Sequence, residues 1–293
     1  MRLANLVHPD RPDAGAVRFA HGHVLLADLA RAAGTGWPER LDALLDAGAL
    51  PDLRAWVAAH PGAAATLPTV DASWRLGPPL RHPRKILGVG LNYAEHAGDL
   101  GERRPDEPAT FMKPATTIIG PGGEVVLPIQ SERTTGEAEL GLVIGRRARD
   151  LGEDEALAAV AGVVPIIDMT AEDILQRNPR FLTRAKSFDT FFAFGPHLVT
   201  LDEVGPADGD LAALEVCTTL DGVARRRNTV ANMMFSPRQL VAFFSQVMTL
   251  EPGDVISTGT PGAVVLTHGA TIGCAIPGVG EITCPVRDRK RGG

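Results

Sequence analysis

The sequence lacks the features of a membrane-spanning or disulfide-stabilised protein. Its 293 residues contain three cysteines, and none of them forms a C-x-x-C pair, so a disulfide framework is not expected. The longest apolar run, around residues 156–167, is interrupted by Pro165 and is too short to span a bilayer. The N-terminus has no apolar signal core. We therefore expect a cytoplasmic protein with no membrane partner.

Several common functional motifs are also missing. The Gly88-Val-Gly90 string lacks the third glycine and the following helix of a dinucleotide fingerprint. There is no P-loop, no G-x-S-x-G elbow and no H-E-x-x-H string, and the eight histidines show no zinc spacing. The net charge is −6 with acidic and basic residues interspersed, which argues against a nucleic-acid partner.

The composition instead favours a globular chain of short strands and turns. Hydrophobic residues make up 44% of the sequence, and 32 glycines and 23 prolines limit the length of helices. A proline-rich, loop-like segment over residues 63–84 suggests a domain boundary near residue 80. We expect a small N-terminal domain over residues 1–80 and a larger domain over residues 81–293.

Local patterns predict several elements. An Asp221-Gly222 pair between strand-like runs predicts a β-hairpin. Ser236 and Pro237 predict the start of a long amphipathic helix. The remaining patterns predict helices at residues 38–48, 51–62, 153–162 and 170–179, with Thr170 as the cap of the last.

The most informative stretch is TTGEAELGLVIG, residues 134–145. In a β-strand, Glu137 and Glu139 point to the same face, because residues two apart share a face. Asp168 ends a second apolar run, VAGVVPIID. Three carboxylates on rigid strands would suit a hard cation such as Mg²⁺, Mn²⁺ or Ca²⁺. The alternative is an exposed strand face of solvated glutamates.

Three further groups of residues suggest chemistry. His96 and Asp99 are three apart, so a helical turn would place a carboxylate beside an imidazole, as in a general base. Lys186 precedes an apolar run and could anchor an anion. The TGTPG string at residues 258–262 could offer backbone N–H groups and the Thr260 hydroxyl to a carboxylate. The alternatives are a solvated surface pair, a surface lysine and an ordinary tight turn.

Taken in order, these strings resemble the fumarylacetoacetate hydrolase family. The matching strings are GVGLNYAEHAGDLG, FMKP, GEAELGLVIG, IIDMTAED, KSFDTFFAFGP, LEPGDVISTGTPG and IPGVGEITCPV, spanning about residues 85–286. The resemblance implies an α+β, predominantly β fold. It also implies a mixed β-sandwich roll as catalytic domain, a small N-terminal α/β-type domain and a homodimer.

The resemblance also implies roles for particular residues. A divalent metal, Mg²⁺ or Mn²⁺ and in some members Ca²⁺, would be held by Glu137, Glu139 and Asp168. His96 and Asp99 would activate water from a lid. The other implied site residues are Lys186 in catalysis and Lys113, Gly259 and Thr260 in substrate binding.

Two departures from the family pattern stand out. Many of its hydrolases have glutamate where this chain has Asp99, and the adjacent Glu102 is an alternative partner for His96. The family's T-A-R-D-x-Q string reads TAEDILQ here, with Glu172 in place of arginine and Gln176 displaced by one. Both changes suggest a subgroup with its own substrate.

The implied activity is metal-dependent hydrolysis of a carbon–carbon bond in an acylpyruvate, a 2-oxo acid. The same enolate chemistry also serves decarboxylases, isomerases and lyases of the family. A second alternative is a noncatalytic member that keeps the metal and the fold but has lost the lid chemistry.

Overall fold

The computed structural model describes residues 1–93, 105–205 and 211–291. Strands dominate this part of the chain, which confirms the expected α+β, predominantly β class. The strands are β1 (Arg2–His8), β2 (Arg11–Phe19), β3 (Gly22–Leu25), β4 (Arg75–Leu76), β5 (Ile86–Gly90), β6 (Ala109–Lys113), β7 (Ile118–Ile119), β8 (Val125–Leu127), β9 (Thr134–Ile144), β10 (Val160–Ala171), β11 (Phe192–Phe194), β12 (Leu198–Val199), β13 (Glu215–Leu220), β14 (Val223–Thr229), β15 (Val255–Ser257), β16 (Ala263–Val265), β17 (Thr271–Ile276) and β18 (Gly280–Asp288).

The helices in the same residues have between 4 and 11 residues. They are α1 (Leu26–Ala33), α2 (Leu41–Asp46), α3 (Leu50–Ala59), α4 (Pro61–Thr66), α5 (Glu153–Ala156), α6 (Glu172–Arg177), α7 (Leu182–Lys186), α8 (Leu201–Val204) and α9 (Pro237–Val247). Across the described ranges, no helix is long and apolar enough to cross a membrane.

Two sheets build the molecule. The larger sheet has the order β3-β2-β1-β12-β10-β9-β15-β5-β6, with β4, β7, β11 and β16 paired to its members, and the smaller has the order β14-β13-β17-β18-β8. The smaller sheet packs on one face of β9, where Ala138 and Leu140 join the main apolar core with Ile272 and Cys274. The alternate residues of β9, including both glutamates, therefore point to the opposite face.

The hairpin and long-helix predictions are confirmed. Asp221 and Gly222 both have positive φ, 53° and 74°, and they join β13 to β14. This is the backbone that a two-residue hairpin turn requires. Helix α9 begins with a reciprocal capping box in which the Ser236 hydroxyl accepts from the Gln239 N–H and the Gln239 side chain accepts from the Ser236 N–H.

Two helix predictions are wrong in extent. The helix expected over residues 170–179 is limited to α6, and Thr170 is not its cap, because β10 continues to Ala171 and pairs Thr170 with Thr135. The helix expected over residues 153–162 ends early, since Val160 already belongs to β10. In both places the long β9–β10 ladder overrides local helix propensity.

The N-terminal strands extend the larger sheet rather than forming a separate one. Arg2 and Leu3 of β1 pair with Val199 and Leu198 of β12. Helices α2 and α3 cover this extension with buried leucines that share an apolar cluster with β10 and β11. The domain boundary near residue 80 stays a prediction.

Candidate metal centre

The three predicted carboxylates meet at the centre of the β9–β10 ladder. Asp168 on β10 lies directly opposite Glu137 on β9, and Glu139 follows on the same face of β9. One oxygen of each carboxylate lies within 4.8 Å of the others. Glu139 and Asp168 are fully buried, and Glu137 is partly buried. The strand pairing thus brings together side chains that the sequence separates by about thirty positions.

Two lysines hold these carboxylates together. The Lys186 Nζ, from the end of α7, donates to Glu137 Oε2 at 2.8 Å and to Asp168 Oδ2 at 2.6 Å. The Lys113 Nζ, from the end of β6, donates to Asp168 Oδ1 and to the Met169 carbonyl oxygen, the latter at 3.2 Å. Both lysines predicted from the resemblance therefore lie in the cluster.

Glu139 is held from the other side by the last residue of β15 and by the loop that follows it. Its Oε2 accepts from the Ser257 hydroxyl at 2.6 Å and from the Gly259 N–H at 2.8 Å. Gly259 has φ +96°, and a Cβ there would lie 2.7 Å from the Cβ of Asn92, so only glycine fits comfortably. Thr260 is buried, and its hydroxyl exchanges hydrogen bonds of 3.2 Å with the backbone of Gly262.

The electrostatics of the cluster are unbalanced. Burial, with a contribution from Asp168, raises the pKa of Glu139 to about 8. Burial also lowers the pKa of Lys113 to about 8, although Asp168 partly offsets it. Burial acts in the same direction on Lys186, but the carboxylates outweigh it and raise the pKa of that lysine above its usual value. With all three carboxyl groups ionised, three negative charges would face two ammonium groups, and this excess of negative charge disfavours the ionised form of Glu139 unless a cation is bound.

This donor set fits a hard divalent cation. Carboxylate oxygens are the ligands that Mg²⁺, Mn²⁺ and Ca²⁺ prefer, and a cation would compensate the excess negative charge. Glu137, Glu139 and Asp168 could hold it. The alternative of a solvated strand face does not apply to Glu139 and Asp168, because both are buried.

Some residues of the site were missed from the sequence. The Ser257 hydroxyl bonds Glu139, and the buried hydroxyls of Thr135 and Ser187 have no hydrogen-bond partner among the described residues. Thr135 could have been found, because it lies two positions before Glu137 and so shares its strand face. Ser257 carries no such signal, since its approach to Glu139 depends on the β15–β9 pairing.

Glu172, which stands where the family pattern has arginine, forms an ion pair with Arg133. The Arg133 Nε donates to Glu172 Oε2 at 2.7 Å, and the Gln176 side chain donates to Glu172 Oε1 at 2.9 Å. The negative charge at this position is thus paired with an arginine on the preceding strand connection. The predicted lid residues His96, Asp99 and Glu102 lie outside the described residues.

Together, the fold and the site define a β-rich α+β protein with a buried carboxylate centre able to hold a metal ion. Residues 85–287 match the family model of the fumarylacetoacetate (FAA) hydrolase C-terminal domain. The chain belongs to the fumarylacetoacetate hydrolase family, as its sequence strings indicate.

Individual relatives support the same family. An uncharacterised protein of Pyrococcus horikoshii is 39% identical over 205 residues, which cover 68% of this chain and 86% of that protein. The structure of maleylpyruvate hydrolase from Sphingobium sp. SYK-6 with manganese(II) and pyruvate has a TM-score of 0.78 at 28% identity, covering 98% of this chain and 99% of that one. The structure of 5-carboxymethyl-2-hydroxymuconate delta-isomerase from Mycobacterium smegmatis has a TM-score of 0.74 at 29% identity, covering 99% of both chains. Hydrolases and isomerases therefore share this fold.

Proposed function

We propose that the protein is a divalent-metal-dependent hydrolase that cleaves a carbon–carbon bond of an acylpyruvate. The observation that carries the proposal is the buried cluster of Glu137, Glu139 and Asp168, bridged by Lys186. In the reaction, water adds its oxygen to the acyl carbonyl carbon, and the bond from that carbon to the methylene breaks. The electron pair leaves as the pyruvate enolate, which takes up a proton, so the products are pyruvate and a carboxylic acid.

The proposed cofactor is Mg²⁺ or Mn²⁺, with Ca²⁺ as an alternative. The bound cation would supply Lewis acidity for the carboxylate and 2-oxo oxygens of the substrate. Support for the pairing of metal and 2-oxo acid comes from the Sphingobium relative, whose structure contains manganese(II) and pyruvate. Ion pairs with Lys113 and Lys186 position the Asp168 carboxylate, and Lys186 also holds Glu137.

The chain's own residues would bind and polarise the substrate. Lys186 keeps its proton, because the surrounding carboxylates raise its pKa, and it would stabilise negative charge developing on the enolate. Lys113 and the loop that carries Gly259 and Thr260 would bind the oxygen atoms of the 2-oxo acid. The role proposed for His96 and Asp99 in deprotonating the attacking water rests on the family resemblance.

An isomerase or decarboxylase is the second candidate. The specific observation in its favour is the M. smegmatis relative, whose structure is that of a delta-isomerase. Both reactions would use the same carboxylate cluster and lysine to hold a 2-oxo acid as its enolate. Neither reaction requires an activated water, so replacing His96 distinguishes them from hydrolysis.

The test is pyruvate release from a panel of acylpyruvates with EDTA, Mg²⁺ or Mn²⁺. We expect turnover only with metal, and a loss of about a hundredfold or more in Glu137→Gln, since metal catalysis contributes several kcal/mol. The exposed acid Glu132 provides the matched control, Glu132→Gln, which should retain activity. Absence of turnover by the metal-loaded protein on the whole panel would refute the hydrolase.

The His96→Ala variant decides between the two candidates. Loss of hydrolysis in this variant, with metal binding unchanged, supports water activation by His96. Full hydrolysis by the variant would show that the proposed base is wrong. If the wild type exchanges the proton on the carbon next to the 2-oxo group but hydrolyses no acylpyruvate, an isomerase is favoured.

A further inference from the structure

Strand β6 presents two buried side chains to the carboxylate cluster. Phe111 and Lys113 are buried, whereas Thr110 and Met112 are exposed, which is the alternation of a strand with one covered face. Lys113 reaches Asp168 from the covered face. Phe111 shares that face and therefore points towards the cluster as well.

Gly88 makes room for the ring of Phe111. The two residues lie directly opposite each other in the β5–β6 pair. A Cβ at Gly88 would lie 2.1 Å from the Cζ of Phe111 and 2.3 Å from its Cε2, far inside van der Waals contact. Gly88 is not among the glycines with positive φ, so this position requires glycine for space rather than for its backbone conformation. The ring thus lies against the backbone of β5.

This position brings the ring next to the carboxylates. Gly88 pairs on its other side with Ser257 of β15, and Ser257 pairs in turn with Gly141 of β9. The Ser257 hydroxyl donates to Glu139 from the same face of the sheet. The ring of Phe111 therefore covers the face on which the carboxylates stand, and only β15 separates its place on β5 from β9.

The face of this ring contacts the ammonium group of Lys186. The Lys186 Nζ lies over the Phe111 ring, 4.7 Å from its centroid, which is within the range of a cation–π interaction. The same Nζ donates to Glu137 Oε2 at 2.8 Å and to Asp168 Oδ2 at 2.6 Å. The ammonium is thus held between an aromatic face and two carboxylates. Because the lysine side chain is only 7% exposed, little water competes with the ring.

An aromatic face suits this task better than a polar group would. A lysine ammonium is a point charge on a flexible four-carbon stem, so two carboxylates attract it without fixing the path of the stem. A phenyl ring attracts a cation through its quadrupole and carries no charge of its own. It therefore restricts the ammonium of Lys186 without neutralising it. The second lysine has less of this support, since the Lys113 Nζ is 5.8 Å from the centroid of Phe192.

We propose that Phe111 is a positioning residue for Lys186, and that Gly88 is needed because it leaves space for the Phe111 ring. The ring holds the ammonium against Glu137 and Asp168, in the place from which it acts on the substrate. The inference rests on the proposed function in that Lys186 stabilises the enolate. Phe111 acts through the lysine and not on the reacting atoms.

Lysine-selective NMR tests the placement without any assay of activity. The chain has only four lysines, so protein labelled with ¹³C-lysine and loaded with diamagnetic Mg²⁺ gives a simple spectrum, which single Lys→Arg variants assign. Protons above an aromatic face are shielded, so we expect the Hε signal of Lys186 upfield of that of Lys290. Phe111→Leu should remove this shift and leave the Lys113 signal in place, while Phe111→Tyr should keep the shift. A wild-type Lys186 signal without shielding would overturn the proposal.

The kinetic consequence is a selective loss in kcat. On the acylpyruvate that is turned over fastest, Phe111→Leu should lower kcat about tenfold and leave KM within about twofold, since a desolvated cation–π contact corresponds to about this factor. Phe111→Tyr should recover most of the rate. The matched control is Phe19→Leu, at a partly buried phenylalanine of β2, which should retain activity. A raised KM with unchanged kcat in Phe111→Leu would overturn the role.

Gly88→Ala tests the space beneath the ring. It should displace the ring and reproduce the Phe111→Leu effects on the Lys186 signal and on kcat. The double variant should be no worse than Phe111→Leu alone, because the ring that the new methyl group would meet is gone. A folded Gly88→Ala protein with a wild-type Lys186 signal would overturn the role of Gly88. If Gly88→Ala does not fold, Phe111→Leu decides the proposal alone.

The two readouts distinguish this inference from the proposed function. If no acylpyruvate is turned over, the hydrolase is wrong, and the Lys186 signal still decides whether Phe111 positions the lysine. If Phe111→Leu hydrolyses acylpyruvates at the wild-type rate, the hydrolase stands and the positioning role is overturned.

Discussion

Replacing Glu139 by glutamine tests whether the carboxylate cluster is built for a cation at the expense of stability. Glutamine has nearly the same shape, and its side-chain oxygen can still accept from the Ser257 hydroxyl and the Gly259 N–H. The substitution removes one of three negative charges that face two lysines. In the absence of metal, we therefore expect Glu139→Gln to be more stable than the wild type.

The magnitude follows from the shifted ionisation of the buried carboxyl. Burial and Asp168 raise the pKa of Glu139 from 4.5 to about 8. A carboxyl group whose pKa is higher in the folded state than in the unfolded state lowers the free energy of unfolding once the pH exceeds the unfolded pKa. This loss grows until the pH reaches the folded pKa. At pH 8 it amounts to about 5 kcal/mol, since each pKa unit corresponds to about 1.4 kcal/mol. Burying the glutamine amide costs on the order of 2 kcal/mol, so a net gain of about 2 kcal/mol or more is expected.

The assay is urea unfolding at pH 8, first in EDTA and then with Mn²⁺. The variant should unfold at a higher urea concentration than the wild type in EDTA. Added Mn²⁺ should stabilise the wild type but not the variant, because a bound ligand stabilises only the state that binds it. Glu132→Gln, at an exposed acid, should change neither result by more than about 0.5 kcal/mol. A variant less stable than the wild type in EDTA would refute the charge argument.

Two further predictions concern pairs away from the carboxylates. The Nε2 atoms of His23 and His197 lie 2.9 Å apart, and burial lowers the pKa of His197 to about 4 and that of His23 below its usual value. Because these folded pKa values are lowered, the free energy of unfolding should fall by about 3 kcal/mol as the pH drops from about 6.5 to 4. Thermal unfolding of the wild type and of His197→Gln checks this, and an unchanged pH dependence in the variant would contradict it. For the Arg133–Glu172 pair, each single charge reversal should lower the free energy of unfolding by up to about 1 kcal/mol, and the double reversal should recover it. A double-mutant cycle measures this. If the double reversal recovers nothing, Arg133 does not compensate the charge of Glu172.

Part of the fold was predictable because its signals are local. The Asp221-Gly222 turn and the capping box at Ser236 depend on a few adjacent residues, and both occur as expected. The helix expected from Thr170 onwards does not begin there, because β10 continues through that residue in its long pairing with β9. Local propensity cannot predict where a strand ends when a partner strand supplies the hydrogen bonds.

Prediction of the site from the sequence was limited in the same way, because only some of its contacts follow from local spacing. The spacing of Glu137 and Glu139 predicts a shared strand face, and this is how they lie. Lys113 and Lys186 come from an edge strand and a short helix, so no spacing rule could place both on Asp168, although the family resemblance pointed to each. The Ser257 contact depends likewise on long-range pairing of β15 with β9.

The charges of the site also account for its fit to a monoanionic 2-oxo acid. Three carboxylates and two protonated lysines sum to one negative charge, which a divalent cation would turn into one positive charge. The carboxylate of a 2-oxo acid would then bring the buried centre to neutrality, the state that costs least in a low-dielectric interior. The affinity for the 2-oxo end should therefore depend only weakly on salt, because the charges that bind it are buried.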